Sequence, residues 1–171
     1  MTNSARRILI VDDDGLVREN VVLFCERLGF DVTSCATLAS AMSHASTGQF
    51  GVVLADCFLP DGNGMKILEE VSQSHPETSI VMMTGFPSIE AVIRSLRLGA
   101  VDYVIKPFNL YELKTILERA AQKHTYALSA LEALRVAGKV VSGAGSPVAH
   151  EVDNRRSQIA EPEFANSGVK Y

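Results

Sequence analysis

Five short apolar runs recur up to residue 105, and a stretch with the spacing of an amphipathic helix follows each one. The runs lie at 8–11, 31–35, 51–56, 79–83 and 101–105. Strands that alternate with helices in this way pair in parallel, because each helix carries the chain back over the sheet by a right-handed crossover. The run Val52-Val53-Leu54-Ala55 has no alternation at all, which suits a strand buried on both faces. The pattern predicts a single doubly wound α/β domain built on a five-stranded parallel sheet.

The helical stretches carry their own punctuation. Leu16, Val17, Val21, Leu23, Phe24 and Leu28 are apolar at helical spacing, with Gly29 as the stop. Thr37 is placed to cap a small helix through about residue 47, and a third helix over 64–74 ends at His75-Pro76. Ser88 caps a helix over 89–98 that rests on Ile89, Val92, Ile93 and Leu96, closing on Gly99. Asn109 caps a long final helix from Leu110.

Polar residues sit where the strands stop. Asp12 and Asp13 follow the first run, Asp56 ends the third, Thr84 the fourth and Lys106 the fifth. Open α/β sheets hold their ligands at this carboxyl edge. Each residue also has a plain reading: Asp after a strand caps turns, Thr is common in strands, and a lone Lys is commonly solvated. Taken alone, Asp56 fits either reading; the combination at four of five strand ends is what points to a site. Three carboxylates at one edge repel, so they need a cation or must keep a proton. Mg²⁺ suits such a set, since it accepts a few carboxylates while retaining waters, and it would shield charge when a phosphoryl group arrives. An ordinary Asp, with a pKa of about 3.9, is ionised at neutral pH and needs no general base, so Asp56 is the candidate nucleophile. Thr84 offers a hydroxyl and Lys106 a compact positive charge, while Gly85 leaves room beside Thr84. Asp14 is assigned to the N-terminus of the first helix.

At these residues the chain resembles the receiver domain of two-component response regulators. The resemblance rests on Ile10-Val11-Asp12-Asp13, on Asp56 with Leu59-Pro60-Asp61-Gly62, on Thr84-Gly85, and on Asp102-Tyr103 with Lys106-Pro107-Phe108, and it covers about residues 6–123. It implies the flavodoxin-like strand order 2-1-3-4-5. It implies that Asp56 accepts a phosphoryl group from a histidine kinase or phosphotransfer protein. Asp13, Asp56 and the backbone carbonyl of Phe58 would bind Mg²⁺, with Asp12 assisting through water. A cis Lys106–Pro107 peptide is also implied. So is a rotameric switch in which Tyr103 follows Thr84 inward, turning the surface of the fourth helix, fifth strand and fifth helix towards an unknown downstream protein. Phe58 and Phe86 are bulky at positions beside the acceptor, where they are expected to hinder a hydrolytic water.

Composition narrows the rest. A net charge of −4 gives no reason to expect direct nucleic-acid binding, and no apolar run is long enough for a membrane span. Cys25, Cys35 and Cys57 lack metal or redox spacing and read as reduced core thiols, which with the absence of room for a signal peptide leads to an expected cytoplasmic location. His44, His75, His124 and His150 lie away from the strand tips, so the chain reads as an acceptor and not as a histidine kinase.

The expected organisation is a receiver at 1–123, a helical extension at 124–137 and a disordered tail at 138–171. Leu110, Leu113, Leu117, Ala120, His124, Ala127, Leu131 and Leu134 alternate three and four apart, as a coiled-coil seam would. The first half of that stripe is expected on the sheet; the second half either docks loosely or pairs with a partner helix, as in a homodimer. The leading reading is a phosphorylatable receiver acting by protein contact. The alternative is the receiver part of a DNA-binding regulator of the sigma-54 activator type. An aspartyl-phosphate phosphatase of the haloacid dehalogenase type would want a second Asp where Phe58 stands.

Overall fold

The computed structural model describes residues 4–47 and 50–143. After a 3₁₀ turn (Ser4–Arg6) come β1 (Arg7–Val11), α1 (Gly15–Arg27), β2 (Asp31–Cys35), α2 (Leu38–Ala45) and β3 (Val52–Asp56). Then follow α3 (Met65–Ser74), β4 (Ser79–Thr84), α4 (Ile89–Arg97), β5 (Asp102–Ile105) and α5 (Leu110–Gly143). A two-residue antiparallel ladder, Phe58–Leu59 with Gly62–Asn63, closes the loop between β3 and α3. The five strands form one parallel sheet in the order β2-β1-β3-β4-β5, as the resemblance implied.

Alternation along the strands sends side chains to opposite faces and so builds two cores. Leu9, Val11, Val53, Ala55, Ile80 and Met82 pack under α2 and α3, with Leu38, Ala41, Ile67, Leu68 and Val71. Ile8, Ile10, Val52, Leu54, Val81 and Met83 pack under α1 and α5, with Val21, Cys25, Leu113, Leu117 and Ala120. Both faces of β3 are covered, which is why its sequence does not alternate. Glycines close α1 and α4: Gly29 (φ 82°) and Gly99 (φ 100°) adopt a left-handed turn that admits glycine without steric cost.

Register places the strand tips in a row. Val11 lies opposite Ala55, so Asp12 and Asp56 are the next residues of neighbouring strands. Asp56 lies opposite Met83, and Thr84 opposite Ile105, which brings Thr84 and then Lys106 to the same edge. Order reverses between β1 and β3, so this edge holds the topological switch point of the sheet.

Two stripes read from the sequence acquire a direction, and one boundary moves. The apolar positions of α4 do not face the domain: Ile89 is 81% exposed and Ile93 and Leu96 are exposed too, while Ser95 is buried and Val92 and Leu98 are half-buried. Helical spacing identifies a stripe but not its direction, and here the stripe points outward. Leu16 and Leu23 of α1 are likewise exposed, and Val21 and Cys25 carry the contact. The C-terminal helix runs unbroken through residue 123 and on to Gly143, beyond the extension expected to end at 137. Within it Leu113, Leu117, Ala120 and His124 are buried, whereas Leu110, Leu131 and Leu134 are exposed. The remainder of the expected disordered tail lies outside the described residues. No helix among them is long and apolar enough to cross a membrane.

At the foot of the sheet His124 ties three segments together. Its Nε2 meets Ser4 Oγ at 3.1 Å and its Nδ1 meets the Glu77 carbonyl at 2.7 Å. At the opposite edge, α2 is capped twice. Thr37 Oγ1 accepts from the Ser40 amide, while the Asp61 carboxylate, 23 residues on from Leu38, accepts from Leu38 N (2.7 Å) and Ala39 N (2.9 Å). These bonds satisfy donors that a helix start leaves open.

The amides of Ala39 and Leu38 hold the Asp61 carboxyl below its ordinary value of 3.8. A lowered carboxylate contributes stability that is present above the unfolded pKa and is lost as pH falls through the folded one. Asp61→Asn is therefore expected to be less stable than the parent at neutral pH, with the gap narrowing as pH drops through the carboxylate range. Urea unfolding midpoints across a pH series measure this; a gap constant with pH would contradict it.

Candidate functional site

Asp56 is held by its backbone before its side chain does anything. The Cys57 amide donates to the Met83 carbonyl (2.8 Å), and the Gly64 amide donates back to the Cys57 carbonyl (2.9 Å). A Cβ at Gly64 would stand 1.8 Å from the Asp56 carbonyl oxygen, so the chain passes there only as glycine. Asp56 Oδ1 accepts from the Phe58 amide at 2.9 Å, which orients the carboxylate. On the neighbouring tip Asp12 is fully buried, and its Oδ1 accepts from the Asp14 amide at 3.0 Å. Asp14 in turn caps α1 through the Leu16 and Val17 amides, as its sequence position indicated. Asp13 is exposed.

Lys106 supplies the charge balance. Its Nζ lies 2.6 Å from Asp12 Oδ2 and also pairs with Asp56 Oδ2. Burial alone would push the Lys106 pKa down, but the carboxylates of Asp12 and Asp56 beside it outweigh that and leave it raised. Burial raises the Asp12 carboxyl; the Lys106 contact and the Asp14 amide oppose the shift without cancelling it, and the charge of Asp56 adds to it. Among the described residues Asp12 Oδ2 has no directed hydrogen bond despite being buried, and the ammonium is what compensates it.

Asp12, Asp13 and Asp56 each present a carboxylate oxygen, all within 4.8 Å of one another. An all-oxygen set with one under-satisfied buried atom fits a hard divalent cation such as Mg²⁺, whose remaining positions water can fill. The residues present are therefore suited to that ion.

The other expected residues take up places around this cluster. Thr84 is buried, and its Oγ1 accepts from the Phe86 amide at 3.1 Å. A Cβ at Gly85 would meet nothing within 4 Å, so the space beside Thr84 is open. The Lys106–Pro107 peptide is cis. Phe58 and Phe86 are both exposed and meet edge to face, with ring centroids 6.1 Å apart. Tyr103 turns towards the core under α2 and α3: Cys57 Sγ donates to its hydroxyl at 3.7 Å, and the hydroxyl also engages the Thr84 side chain. Burial first, then the Cys57 contact, push the Tyr103 pKa up to about 12. His44, His75 and His124 belong to other parts of the fold, and His150 lies outside the described residues.

Three contributors were not singled out from the sequence. Gly64 lies just beyond Leu59-Pro60-Asp61-Gly62, and its close approach to Asp56 was not legible there. Arg18 reaches back from α1 and donates to the Asp12 carbonyl at 2.6 Å, bracing the acidic loop. Cys57 was legible only as a core thiol. Cys25 and Cys57 are buried and Cys35 half-buried, all unpaired, and burial raises the pKa of each.

A family model described as "Response regulator receiver domain" matches residues 8–118. The regulatory protein AtoC of Escherichia coli (strain K12) is 39% identical over 117 residues, covering 68% of this chain and 25% of AtoC. The response regulator protein PilR of Pseudomonas aeruginosa is 32% identical over 117 residues, covering 68% of this chain and 26% of PilR. The chain thus spans about a quarter of the length of these curated relatives. Among solved structures, a response regulator receiver domain protein (CheY-like) from Methanospirillum hungatei JF-1 superposes with a TM-score of 0.66 at 32% identity, covering 71% of this chain and 98% of that one.

Gly64→Ala should cost about 1–3 kcal/mol in stability by forcing the Asp56 backbone aside. Gly85→Ala, facing open space, should stay within about 0.5 kcal/mol of the parent. Urea denaturation of the two variants side by side checks the contrast; equal losses would show that the approach to Asp56 relaxes freely.

Proposed function

The chain belongs to the response regulator receiver domain family, and on that premise we propose that it is a phosphoacceptor in a two-component relay, with Asp56 as the acceptor. The observation that carries this reading is the Asp12, Asp13 and Asp56 cluster with the Lys106 ammonium set between two of its members. Asp56 Oδ1 is engaged by the Phe58 amide, so Oδ2, on the Lys106 side, is the oxygen placed for attack. In the transfer, a new bond forms between that oxygen and the phosphorus of a phosphohistidine, and the phosphorus–nitrogen bond breaks. The electron pair stays on the donor ring, which then takes a proton from solvent. Lys106 shifts its charge from the carboxylate to the phosphoryl oxygens, and Thr84 gives them a hydroxyl donor. Gly85 leaves the space they need.

Receiver domains bind Mg²⁺ at an acidic cluster of the kind present here. Asp13, Asp56 and the Phe58 carbonyl would hold the ion, with Asp12 assisting through water. When bound, it supplies neutralisation of the charge gathered on phosphate and carboxylates. Thr84 and Tyr103 would then carry the state of the site to the exposed face of α4, β5 and α5. There Ile89, Ile93, Leu96 and Ile105 offer apolar surface to a downstream protein. Residues 1–123 would be the receiver and the helix from 124 its connection, with Leu131 and Leu134 available to a second copy as a homodimer. A histidine kinase or phosphotransfer protein is the donor class, and the cytoplasm is the compartment such partners require.

The alternative, a receiver belonging to a DNA-binding regulator of the sigma-54 activator type, is favoured by one observation. Relatives that include the DNA-binding transcriptional regulator NtrC of Azospirillum brasilense align with this chain over only about a quarter of their length. On that reading the nucleic acid is contacted by another part of the regulator, and the switch described here is unchanged.

Incubation with acetyl phosphate and Mg²⁺ should add the mass of one phosphoryl group, and Asp56→Asn should abolish it. Sedimentation of the same samples should show a larger species only where the mass has been added, if the helix from 124 serves a dimer. Retention of the added mass in Asp56→Asn would remove Asp56 from its role. Phe58 and Phe86 are proposed to screen the acyl phosphate from water, so Phe58→Asn should shorten its lifetime by roughly tenfold, the effect of about 1.4 kcal/mol on the hydrolytic barrier. A lifetime unchanged in that variant would count against the screen.

A further inference from the structure

Cys57 follows Asp56 directly, and the two side chains leave the backbone on opposite sides, as successive residues of a strand do. Asp56 joins the acidic cluster, while Cys57 joins the core under α2 and α3, where it is only 4% exposed. The same two backbone bonds, to Met83 and from Gly64, fix both residues. On that inner side the thiol meets the Tyr103 hydroxyl at 3.7 Å. The Tyr103 ring thus lies against the core, with its hydroxyl engaged by Cys57 and Thr84.

We propose that Cys57 is a positioning residue for the switch: its thiol holds the Tyr103 ring turned into the domain before phosphorylation, so that the inward arrangement is already populated in the unmodified protein. A generic apolar residue after the acceptor would fill the same space but leave the hydroxyl its Thr84 contact alone, and a half-buried phenol with fewer partners turns out to water more readily. The consequence follows from linkage. Whatever raises the inward population without the phosphoryl group raises the apparent affinity for that group by the same factor. A thiol is a weak donor, so the factor is modest, about twofold to tenfold.

The test labels the full chain with 3-fluorotyrosine and follows the Tyr103 resonance by fluorine NMR, assigned with Tyr103→Phe. The exposed Tyr111 and Tyr126 serve as solvent-facing references. In the unphosphorylated protein, Cys57→Val should move the Tyr103 resonance towards those references, and Cys57→Ser, which keeps a donor, should restore the parent position. Cys57→Ala supplies the same loss of donor if the valine variant does not fold. With acetyl phosphate and Mg²⁺, half-maximal phosphorylation should need about twofold to tenfold more donor in Cys57→Val than in Cys57→Ser. In a Tyr103→Phe background the valine change should have no further effect. An unmoved resonance in the valine and alanine variants, or serine and valine variants that behave alike, would overturn the proposal. Only the phosphorylation readout rests on Asp56 as acceptor. A parent chain that takes no phosphoryl group would defeat that reading, while the fluorine comparison still decides the role of Cys57.

Discussion

The position of one ammonium group governs the rest of the architecture. Two carboxylates, Asp12 and Asp56, are buried at adjacent strand tips, and a third stands within 4.8 Å. Left alone, they would repel each other in a medium that screens poorly, and at least one would give up its charge. Lys106 prevents this by sitting between Asp12 Oδ2 and Asp56 Oδ2. The compensation is incomplete, because one lysine faces three acids and Asp12 Oδ2 lacks a directed hydrogen bond. A site of this kind is in electrostatic debt, and its residues suit a divalent cation for the same reason that they need the lysine.

Parallel pairing is what makes the arrangement possible. Because β1, β3, β4 and β5 all run the same way, their ends meet at a single edge, and the register brings the tips level. An antiparallel sheet would have sent half of these residues to the opposite side. The two cores then fix the strands from above and below, so the edge is rigid while the loops leaving it remain free to carry polar groups. Local devices finish the placement: the Phe58 amide on Asp56, the Asp14 amide on Asp12 and the Arg18 guanidinium on the Asp12 carbonyl.

This division also explains what could be read from the chain. Strand runs, helix caps and strand tips are local patterns, and Thr37, Ser88, Asn109 and Asp14 cap where their positions indicated. The strand order came from the resemblance, since spacing alone does not say which strand lies next to which. The face of α4 was not legible, because its apolar stripe marks a surface for contact without naming the contact, and the domain takes Ser95 in place of Ile93. Gly64 and Arg18 were missed because their roles depend on an approach across space, to Asp56 and to the Asp12 carbonyl. Asp61 was visible as part of a motif, but its function as a cap for α2 is a contact 23 residues distant in sequence.

The long helix α5 shows how one periodic stripe can serve two neighbours in succession. From Leu113 to Ala120 it lies on the sheet, and His124 marks the end of that contact by bonding to Ser4 and to the Glu77 carbonyl. Past this point the same three-and-four spacing continues through Leu131 and Leu134 with nothing from the domain to cover it. A stripe repeating every 3.5 residues drifts by only about 20° per heptad on a straight helix. The exposed half therefore points to nearly the same side as the buried half, beyond the foot of the sheet. A second helix laid against it would be aligned by the same face that α5 uses to grip its own domain. Any shift of α5 on the sheet would then be passed along a rigid rod to such a partner.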